Sequence, residues 1–215
     1  FNISRDAMVD VTMYSAGGAY AGTEKQQICL SYAYGDGKES SCENTVNSVQ
    51  RLFYNIPINT YFSLDLDGIA ALNDSIGGVD VVSPETIGDF VEGQSYHLVG
   101  QQAESFVRTR DTSKVDSNNM RMQRQKVYIQ SFMDTVLQQT KKDLTTPLDL
   151  FNASAPYSCT NLNPSKVTYL AQQAVLGGMN GIDMLSVPGQ VKMGSKYAEF
   201  NVSEAEFYQM FLSIY

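Results

Sequence analysis

The chain has 215 residues, of which 43% are hydrophobic and 11% aromatic, and this predicts a single domain with one sizeable buried core. Its 15 Lys and Arg residues against 23 Asp and Glu residues give a formal charge of −8, which argues against nonspecific binding to nucleic acid. No stretch reaches the ~18–20 consecutive apolar residues of a membrane span, and no signal peptide is recognisable. Because the chain begins at Phe1 without an initiator Met, we expect a fragment or processed form from which a membrane anchor could have been removed.

Strands and helices alternate in the first half of the chain. Residues Val9–Tyr14 alternate in polarity, which predicts a strand, and Ile28–Tyr34 leads into a glycine-rich turn. A helix is predicted for Glu39–Asn55, because its apolar residues recur in helical register and Pro57 follows it. The next predicted elements are strand Thr60–Leu66, helix Gly68–Ser75 capped by Asp67, strand Val79–Val82 and a loop or hairpin over Gly88–Val99.

The second half is predicted to contain more helix. We expect a short helix at Gly100–Arg108, a polar loop at Thr109–Ser117 and a long amphipathic helix from Asn118 to about Lys142. The stretch Lys142–Pro164 is rich in Pro, Asn and Thr, which predicts a loop with a helical turn. The last predicted elements are helix Ser165–Ala174, strands Met184–Val187 and Tyr197–Val202, and a C-terminal helix with a capping box at Ser203–Glu206. This alternation predicts an α/β fold with a mixed sheet between helical layers.

Basic side chains are concentrated in one part of this acidic chain. Four arginines, called the arginine array below, and one glutamine lie within eighteen residues: Arg108, Arg110, Arg121, Arg124 and Gln125. A guanidinium group has five fixed donors and pairs bidentately with phosphate or carboxylate. The array therefore predicts a site for a concentrated anion. The alternative is a solvated basic helix end whose charges pair with Asp111 or Asp116.

The long predicted helix changes character along one face. Ile129, Phe132, Met133 and Val136 form an apolar stripe, and the same face continues backwards to Gln125 and then Arg121. Such a face can bind an anion at the helix start, where the macrodipole is positive, and an apolar chain in a tunnel beyond it. The alternatives are an ordinary core stripe, and a structural salt bridge for Arg124, which points about 60° away from Arg121.

Cysteine and histidine contribute little recognisable chemistry. The spacing of Cys29, Cys42 and Cys159 matches no zinc motif. Cys29 and Cys42 flank a glycine-rich turn, so we predict that they are close enough for a disulfide bond, with three reduced thiols as the alternative. His97 is the single histidine, and no GxSxG nucleophile motif accompanies it, so we predict a structural role for it.

An ordered series of short motifs resembles the extracytoplasmic domain of the LytR–CpsA–Psr family. Ile3-Ser4-Arg5-Asp6 is similar to the family's "IPRD", and Leu30–Gly37 (LSYAYGDG) is similar to its "AYAYGG". Any one motif is weak, whereas the ordered set is specific. The remaining matching segments, in chain order, are Ile56–Tyr61, Asp65–Gly68, Gly77–Val81, Val107–Arg110, Arg121–Gln125 and Val187–Val191.

The resemblance implies an α/β/α sandwich with a central mixed sheet and an enzymatic activity at the cell envelope. Such an enzyme moves a phosphate-linked glycopolymer from an undecaprenyl-pyrophosphate carrier to peptidoglycan or another cell-wall acceptor. It uses Mg²⁺, acts at the extracellular face of the membrane to which an N-terminal anchor attaches it, and binds no nucleic acid. The alternative is a non-catalytic polyprenyl-phosphate-binding or regulatory envelope module.

The resemblance also assigns roles to individual residues. Arg108, Arg110 and Asp6 are the implied catalytic residues, and Asp6 is also the implied Mg²⁺ ligand unless it merely pairs with Arg5. The pyrophosphate would be bound by Arg5, Lys25, Arg108, Arg110, Arg121, Arg124 and Gln125.

Three departures from the family pattern bear on this assignment, one of which is that Cys159 has no obvious partner in the sequence. A second acidic metal ligand belongs to a strand that would precede Phe1. Gln27 occupies the usual place of a basic residue, for which Lys25 could substitute. Asp65 and Asp67 are predicted to end a strand and cap a helix rather than bind metal.

Overall fold

The computed structural model describes residues 1–111, 113, 117–181, 183–194 and 196–214. The chain forms two compact units, which we call the first unit (Phe1–Tyr61, Cys159–Asn161 and Leu185–Tyr215) and the second unit (Phe62–Ser158 and Leu162–Met184). Strands and helices are mixed in the fold, so the predicted α/β class is confirmed. No described helix is both long and apolar enough to cross a membrane.

The structure defines the bounds of each element. The described strands are β1 (Met8–Tyr14), β2 (Tyr20–Gln27), β3 (Phe62–Leu64), β4 (Val79–Val82), β5 (Ser95–Leu98), β6 (Ser158–Thr160), β7 (Gly189–Met193) and β8 (Ala198–Val202). The described α-helices are α1 (Cys29–Ala33), α2 (Glu39–Leu52), α3 (Gly68–Ser75), α4 (Gln101–Arg108), α5 (Ser117–Lys142), α6 (Thr146–Ser154), α7 (Pro164–Leu176) and α8 (Glu204–Leu212). A short 3₁₀ turn follows α6.

The first unit contains two antiparallel hairpins, and isolated parallel bridges occur beside them. β1 and β2 pair antiparallel, with Met8 opposite Gln27, and β7 and β8 form a second antiparallel ladder. A parallel bridge joins Ala7, which directly precedes β1, to Phe200 of β8. Another parallel bridge joins Asn2 to Ser186. Alternate residues of β1, such as Val9 and Val11, are buried with Ile28, as the period-2 pattern predicts. A second apolar cluster contains Phe53, Val187, Phe207 and Phe211.

The second unit is built on a short hairpin and a set of helices. β4 and β5 pair antiparallel, and their buried residues join those of α4 and α5 in one apolar cluster that includes Phe106 and Tyr128. His97 lies opposite Asp80 in this hairpin, with its Nδ1 2.8 Å from Oδ1 of Asp80 and its Nε2 3.1 Å from the carbonyl oxygen of Gly77. These contacts agree with the structural role predicted for His97.

Several elements differ from the sequence prediction. β2 and β7 were not predicted, because their sequences are polar and both strands are largely exposed. The stretch Lys142–Pro164 contains the whole of α6 rather than a single helical turn. Strand Met184–Val187 is reduced to the bridge at Ser186. Asp67 and Ser203 precede α3 and α8 as predicted, but neither side chain makes a capping hydrogen bond.

The predicted disulfide bond is not formed. Both cysteines lie within the described residues 1–111. There Cys29 and Cys42 are present as thiols. Cys42 is buried within α2, and Sγ of Cys29 lies 3.7 Å from Nη2 of Arg5. The glycine-rich turn does bring α1 and α2 together, but a disulfide also needs Cβ atoms directed at each other within ~4.5 Å. The two side chains have different surroundings instead.

Candidate functional site

Arg124 is the most deeply buried member of the arginine array. Its side chain is 1% exposed, and Nε lies 2.7 Å from Oε1 of Glu85. Nη1 donates a hydrogen bond of 2.7 Å to the carbonyl oxygen of Phe106, and Nη2 donates to the carbonyl oxygen of Thr109. Burial lowers the pKa of Arg124, and the charge of Glu85 opposes this shift. The two Nη atoms donate to backbone carbonyl groups and Nε lies at ion-pair distance from Glu85, so the salt-bridge alternative is the one observed.

Gln125 strengthens the same contact between α4 and α5. Its Nε2 donates a hydrogen bond of 3.2 Å to the carbonyl oxygen of Val107. Because the last carbonyl groups of a helix have no partner within the helix, donors from a neighbouring helix satisfy them. Arg124 and Gln125 thus bind carbonyl groups at the C-terminal end of α4, and we call this region the α4–α5 junction. Arg121 lies one turn before Gln125 on α5 and is half-buried.

Arg108 and Arg110 emerge from the α4–α5 junction. Arg108 is the last residue of α4, and its side chain is 62% exposed although Nη1 lies 2.7 Å from Oε1 of Glu104. Hydrogen bonds from Arg108 and then Gln101 lower the pKa of Glu104. Arg110 follows the helix and is also exposed. The junction therefore holds the backbone of two arginines whose side chains face solvent.

An apolar pocket of about 250 Å³ adjoins the junction within the second unit. Val107 and Gln125, which are hydrogen-bonded to each other, both line it, and Ile129 and Phe132 continue its wall along α5. An apolar pocket is therefore present beside this helix face, lined by two of the four residues predicted to line a tunnel, and the tunnel itself stays a prediction. Val136 packs against the core cluster instead, and Met133 is not among the lining residues. The opposite wall, which was not predicted, comes from Leu64, Leu66, Ile69 and Leu72.

Arg5 and Asp6 belong to the first unit. Nε of Arg5 lies 3.6 Å from Oδ1 of Asp6, and the Arg5 side chain is 57% exposed. Oδ1 of Asp6 also accepts a hydrogen bond of 3.2 Å from Nε2 of Gln27, whose side chain donates in addition to the carbonyl oxygen of Ala198. Gln27 thus contacts Asp6 directly from the position where the family usually has a basic residue. The ion pair between Arg5 and Asp6 is the alternative that the sequence left open.

Lys25 lies two residues from Gln27 on β2 but has different neighbours. It is opposite Asp10 in the β1–β2 ladder and lines a pocket of about 280 Å³ with Asp10, Arg51 and Glu204. This pocket contains both signs of charge. Gln27, not Lys25, is hydrogen-bonded to Asp6. Lys25 faces Asp10 instead.

The residues offer limited support for a magnesium site. Among the described residues, no three or more His, Cys, Asp or Glu side chains form a cluster that could hold a metal ion. Mg²⁺ is often bound by only one or two carboxylates together with water and substrate phosphate. The carboxylate of Asp6, 20% exposed, fits that mode as a single ligand. Its metal binding stays a prediction.

The structure brings four of the predicted site residues together at the α4–α5 junction and its rim: Arg108, Arg110, Arg124 and Gln125. A contact of Arg108, Arg110 or Gln125 with pyrophosphate stays a prediction, as does a shared cleft with Arg5 and Arg121. Arg124, which is buried against protein acceptors, is not accessible to such a ligand in the structure. Sequence reasoning missed Glu104 and Glu85, the carboxylate partners of the array. Glu104 could have been found, because it precedes Arg108 by four residues on a helix. Glu85 could not, because its loop has no recognisable relation to α5.

Comparison with known proteins agrees with this description. The model of the LytR–CpsA–Psr family matches residues 1–213. A protein named polyisoprenyl-teichoic acid–peptidoglycan teichoic acid transferase TagU, from Enterococcus faecalis, is 31% identical over 140 residues, which are 63% of this chain and 41% of that protein. A Bacillus anthracis protein of the same name is 35% identical over 91 residues, 40% of this chain and 28% of that protein. The chain thus spans less than half the length of these curated relatives.

Solved structures show the same fold. B. subtilis TagV superposes with a TM-score of 0.68 at 23% identity, covering 98% of this chain and 79% of TagV. A structure of TagT bound to LI-WTA superposes with a TM-score of 0.67 at 17% identity, covering 98% of this chain and 74% of that one. Since the family model covers nearly every residue and the fold agrees, the chain belongs to the LytR–CpsA–Psr family.

Proposed function

We propose that the protein is a cell-envelope transferase that moves a phosphate-linked glycopolymer from an undecaprenyl-pyrophosphate carrier to peptidoglycan or another cell-wall acceptor. Membership of the family and relatives named teichoic acid transferase support this reaction class. TagT bound to LI-WTA supports a glycopolymer as the substrate. Such a reaction would take place at the extracellular face of the cell membrane.

The observation that carries the proposal is the combination of charge and apolar surface at the α4–α5 junction. Arg108 and Arg110 are exposed there, and the apolar pocket begins at Val107 and Gln125. A lipid pyrophosphate has a doubly phosphorylated head and an apolar tail, so it can use both features at once. Exposed apolar side chains at the pocket, including Leu66 and Ile129, indicate a surface that is covered when a ligand is bound.

The chemistry requires charge neutralisation more than a covalent intermediate. The acceptor hydroxyl oxygen forms a bond to the phosphorus that carries the polymer, and the bond from that phosphorus to the bridging oxygen breaks. The hydroxyl proton passes to the departing phosphate or to water, and prenyl phosphate leaves. Phosphoryl transfer of this kind depends on positioning and on stabilising the charge of the phosphate oxygens. In our proposal Arg108 and Arg110 bind these oxygens, Arg121 assists from α5, and Arg124 positions the segment that carries the first two.

Asp6 is the single protein ligand that we propose for Mg²⁺. A divalent cation would neutralise phosphate charge when bound. The Asp6 carboxylate would be one of its ligands, and Gln27 would orient that carboxylate through the hydrogen bond to Oδ1. Replacing Asp6 with Asn should weaken Mg²⁺ binding, measured by calorimetry without any lipid substrate.

The test is lipid binding by Arg108 variants. We expect Arg108→Ala to weaken binding of geranylgeranyl pyrophosphate about 10-fold to 100-fold, because a charge-assisted hydrogen bond contributes roughly 1.5–3 kcal/mol. Arg108→Lys should also bind poorly, since an ammonium group cannot form the bidentate contact. Lys142→Ala, which removes the same charge from the far end of α5, should leave binding unchanged. Calorimetry measures the affinities, and transfer of lipid-linked wall teichoic acid precursor to peptidoglycan measures activity.

The outcomes separate the candidate functions. Full lipid binding by Arg108→Ala would show that the arginine does not bind the pyrophosphate. Wild-type lipid binding without transfer to any cell-wall acceptor would instead favour the non-catalytic binding module.

A further inference from the structure

The exposed side of α2 borders two adjoining pockets of the first unit. The larger has a volume of about 590 Å³ and the smaller about 280 Å³. Glu43 and Asn47, one helical turn apart on α2, line both pockets. The two pockets therefore adjoin along the helix, and we refer to them together as the α2 groove. The larger pocket alone falls within the ~300–1,000 Å³ that ligand sites usually have.

The groove is lined by neutral hydrogen-bonding groups, carboxylates and tyrosines. None of the described residues that line it is Lys, Arg or His. In the larger pocket the shared Glu43 and Asn47 are joined by Tyr14, Tyr34, Asp36 and Asn44. In the smaller pocket they are joined by Gln50, Asn59, Tyr61 and Asn161. Amide groups both donate and accept, and carboxylates accept from paired hydroxyl groups. This set of groups matches a polyhydroxyl ligand.

Asn44 places an unsatisfied amide oxygen next to the larger pocket. It is 2% exposed and lines the larger pocket. Its Nδ2 donates hydrogen bonds of 2.9 and 2.7 Å to the carbonyl oxygens of Thr12 and Ser31. Its Oδ1 has no hydrogen-bond partner among the described residues. A buried amide oxygen without a partner is costly, and the Asn44 side chain would have to turn toward the pocket for a ligand hydroxyl to donate to it.

The tyrosines present both ring surface and hydroxyl groups. The hydroxyl of Tyr34 donates a hydrogen bond of 3.0 Å to Oε1 of Gln26, which holds the ring in place. Burial raises the pKa of Tyr61 to about 12, and Cys159, Glu39, Cys42 and Glu43 add to the shift in decreasing order. Tyr61 thus keeps its proton and can donate. Rings with one polar end suit ligands such as sugars, which have an apolar ring face and polar edges.

We propose that the α2 groove binds an uncharged oligosaccharide. The carboxylates of Asp36 and Glu43, without a lining cation, disfavour an anionic ligand such as a phosphate-bearing polymer. The neutral amides and tyrosines offer alternating donors and acceptors along the groove. This binding does not depend on the proposed transferase activity.

The groove is distinct from the residues implicated above. Asp6 precedes β1 and Tyr14 ends it. A strand rises ~3.3 Å per residue, so Tyr14 lies roughly 20 Å from Met8 along β1. The arginine array belongs to the second unit, whereas every lining residue of the α2 groove belongs to the first unit.

The experiment compares a neutral and an anionic tetrasaccharide. We expect chitotetraose, an uncharged N-acetylglucosamine tetramer, to bind the wild-type chain in calorimetry, and tetragalacturonate to bind at least tenfold more weakly. Asn47→Ala and Glu43→Gln should each weaken chitotetraose binding about tenfold. Glu39→Gln is the matched control, because Glu39 is also an exposed glutamate of α2 but does not line the groove. Urea denaturation shows that each variant is folded.

Three results would overturn the proposal. These are absence of chitotetraose binding, equal affinity for the two tetrasaccharides, or unchanged affinity in folded Asn47→Ala and Glu43→Gln proteins. Geranylgeranyl pyrophosphate binding is measured on the same variants and should be unaffected. Failure of the saccharide proposal is thereby distinguished from failure of the proposed transferase function.

Discussion

At the scale of single residues, the arginines of the array have different roles. Arg124 is enclosed by Glu85 and by backbone carbonyl groups, whereas the Arg108 side chain is 62% exposed. A buried cation fully occupied by protein acceptors orders the backbone, and an exposed one remains accessible to a ligand. The same residue type thus provides both the support and the binding surface of the α4–α5 junction.

Replacement of Arg124 should therefore destabilise the fold. We expect Arg124→Ala to lower the free energy of unfolding by about 3–5 kcal/mol, because it leaves the carboxylate of Glu85 without its partner in a buried place. The double variant Arg124→Ala/Glu85→Ala should be more stable than Arg124→Ala alone. Urea denaturation measures both, with Arg110→Ala as the exposed control. Unchanged stability of Arg124→Ala would contradict the structural role.

The pair of Glu104 and Arg108 should make stability depend on pH. The hydrogen bond from Arg108 lowers the pKa of Glu104 below its ordinary value, so folding favours the ionised carboxylate. Its contribution to stability is complete above the ordinary pKa of glutamate and is lost as the pH falls through the lowered pKa. In Arg108→Ala we expect the pKa of Glu104 to rise, measured by NMR titration. An unchanged value would show that the ion pair is absent in solution.

At the scale of elements, the turn between α1 and α2 depends on a close backbone approach. A Cβ atom on Gly35 would lie 2.4 Å from Cα of Ser41, at the start of α2. Main-chain atoms there cannot move away without shifting the helix. The resemblance to the family's "AYAYGG" motif thus has a local physical explanation at this glycine. This turn fixes the start of α2, and the exposed side of that helix borders the α2 groove.

We expect Gly35→Ala to lower the free energy of unfolding by roughly 1–3 kcal/mol, as overpacking does. Gly17→Ala is the control, since a Cβ there would meet only Oγ of Ser15 at 3.9 Å. Thermal denaturation of the two variants measures the difference. Equal stability would mean that the two helices can separate at little cost.

At the scale of the whole molecule, charge distinguishes the two proposed ligands. The chain carries a formal charge of −8, yet the α4–α5 junction exposes Arg108 and Arg110. Attraction between these arginines and pyrophosphate is screened by salt, whereas neutral hydrogen bonds are not. The two binding events should therefore respond differently to ionic strength.

Raising NaCl from about 0.05 M to about 0.5 M shortens the Debye length from roughly 14 Å to roughly 4 Å. We expect the affinity for geranylgeranyl pyrophosphate to fall several-fold and the affinity for chitotetraose to stay constant. Calorimetric titrations at the two salt concentrations provide the measurement. A pyrophosphate affinity independent of salt would contradict binding by exposed arginines.

The sequence by itself determined the family, the α/β class and the long helix. Periodicity predicted α5 almost to its ends, because a 26-residue helix repeats its pattern over many turns. The apolar stripe on that helix also predicted two lining residues of the pocket, Ile129 and Phe132. The arginine array was visible because it stands out against an acidic composition.

Only the tertiary structure decided which side chains are accessible and which partners they have. The helical repeat predicted that Arg124 and Arg121 point in different directions. The burial of Arg124, however, depends on its ion pair with Glu85, nearly forty residues earlier in the chain. Cys29 and Cys42 are close in sequence, yet the packing of α2 directs the Cys42 side chain inward. The polar strand β2 is held by its ladder with β1 rather than by its own composition. Each of these outcomes depends on contacts between distant residues, which local propensity and periodicity do not encode.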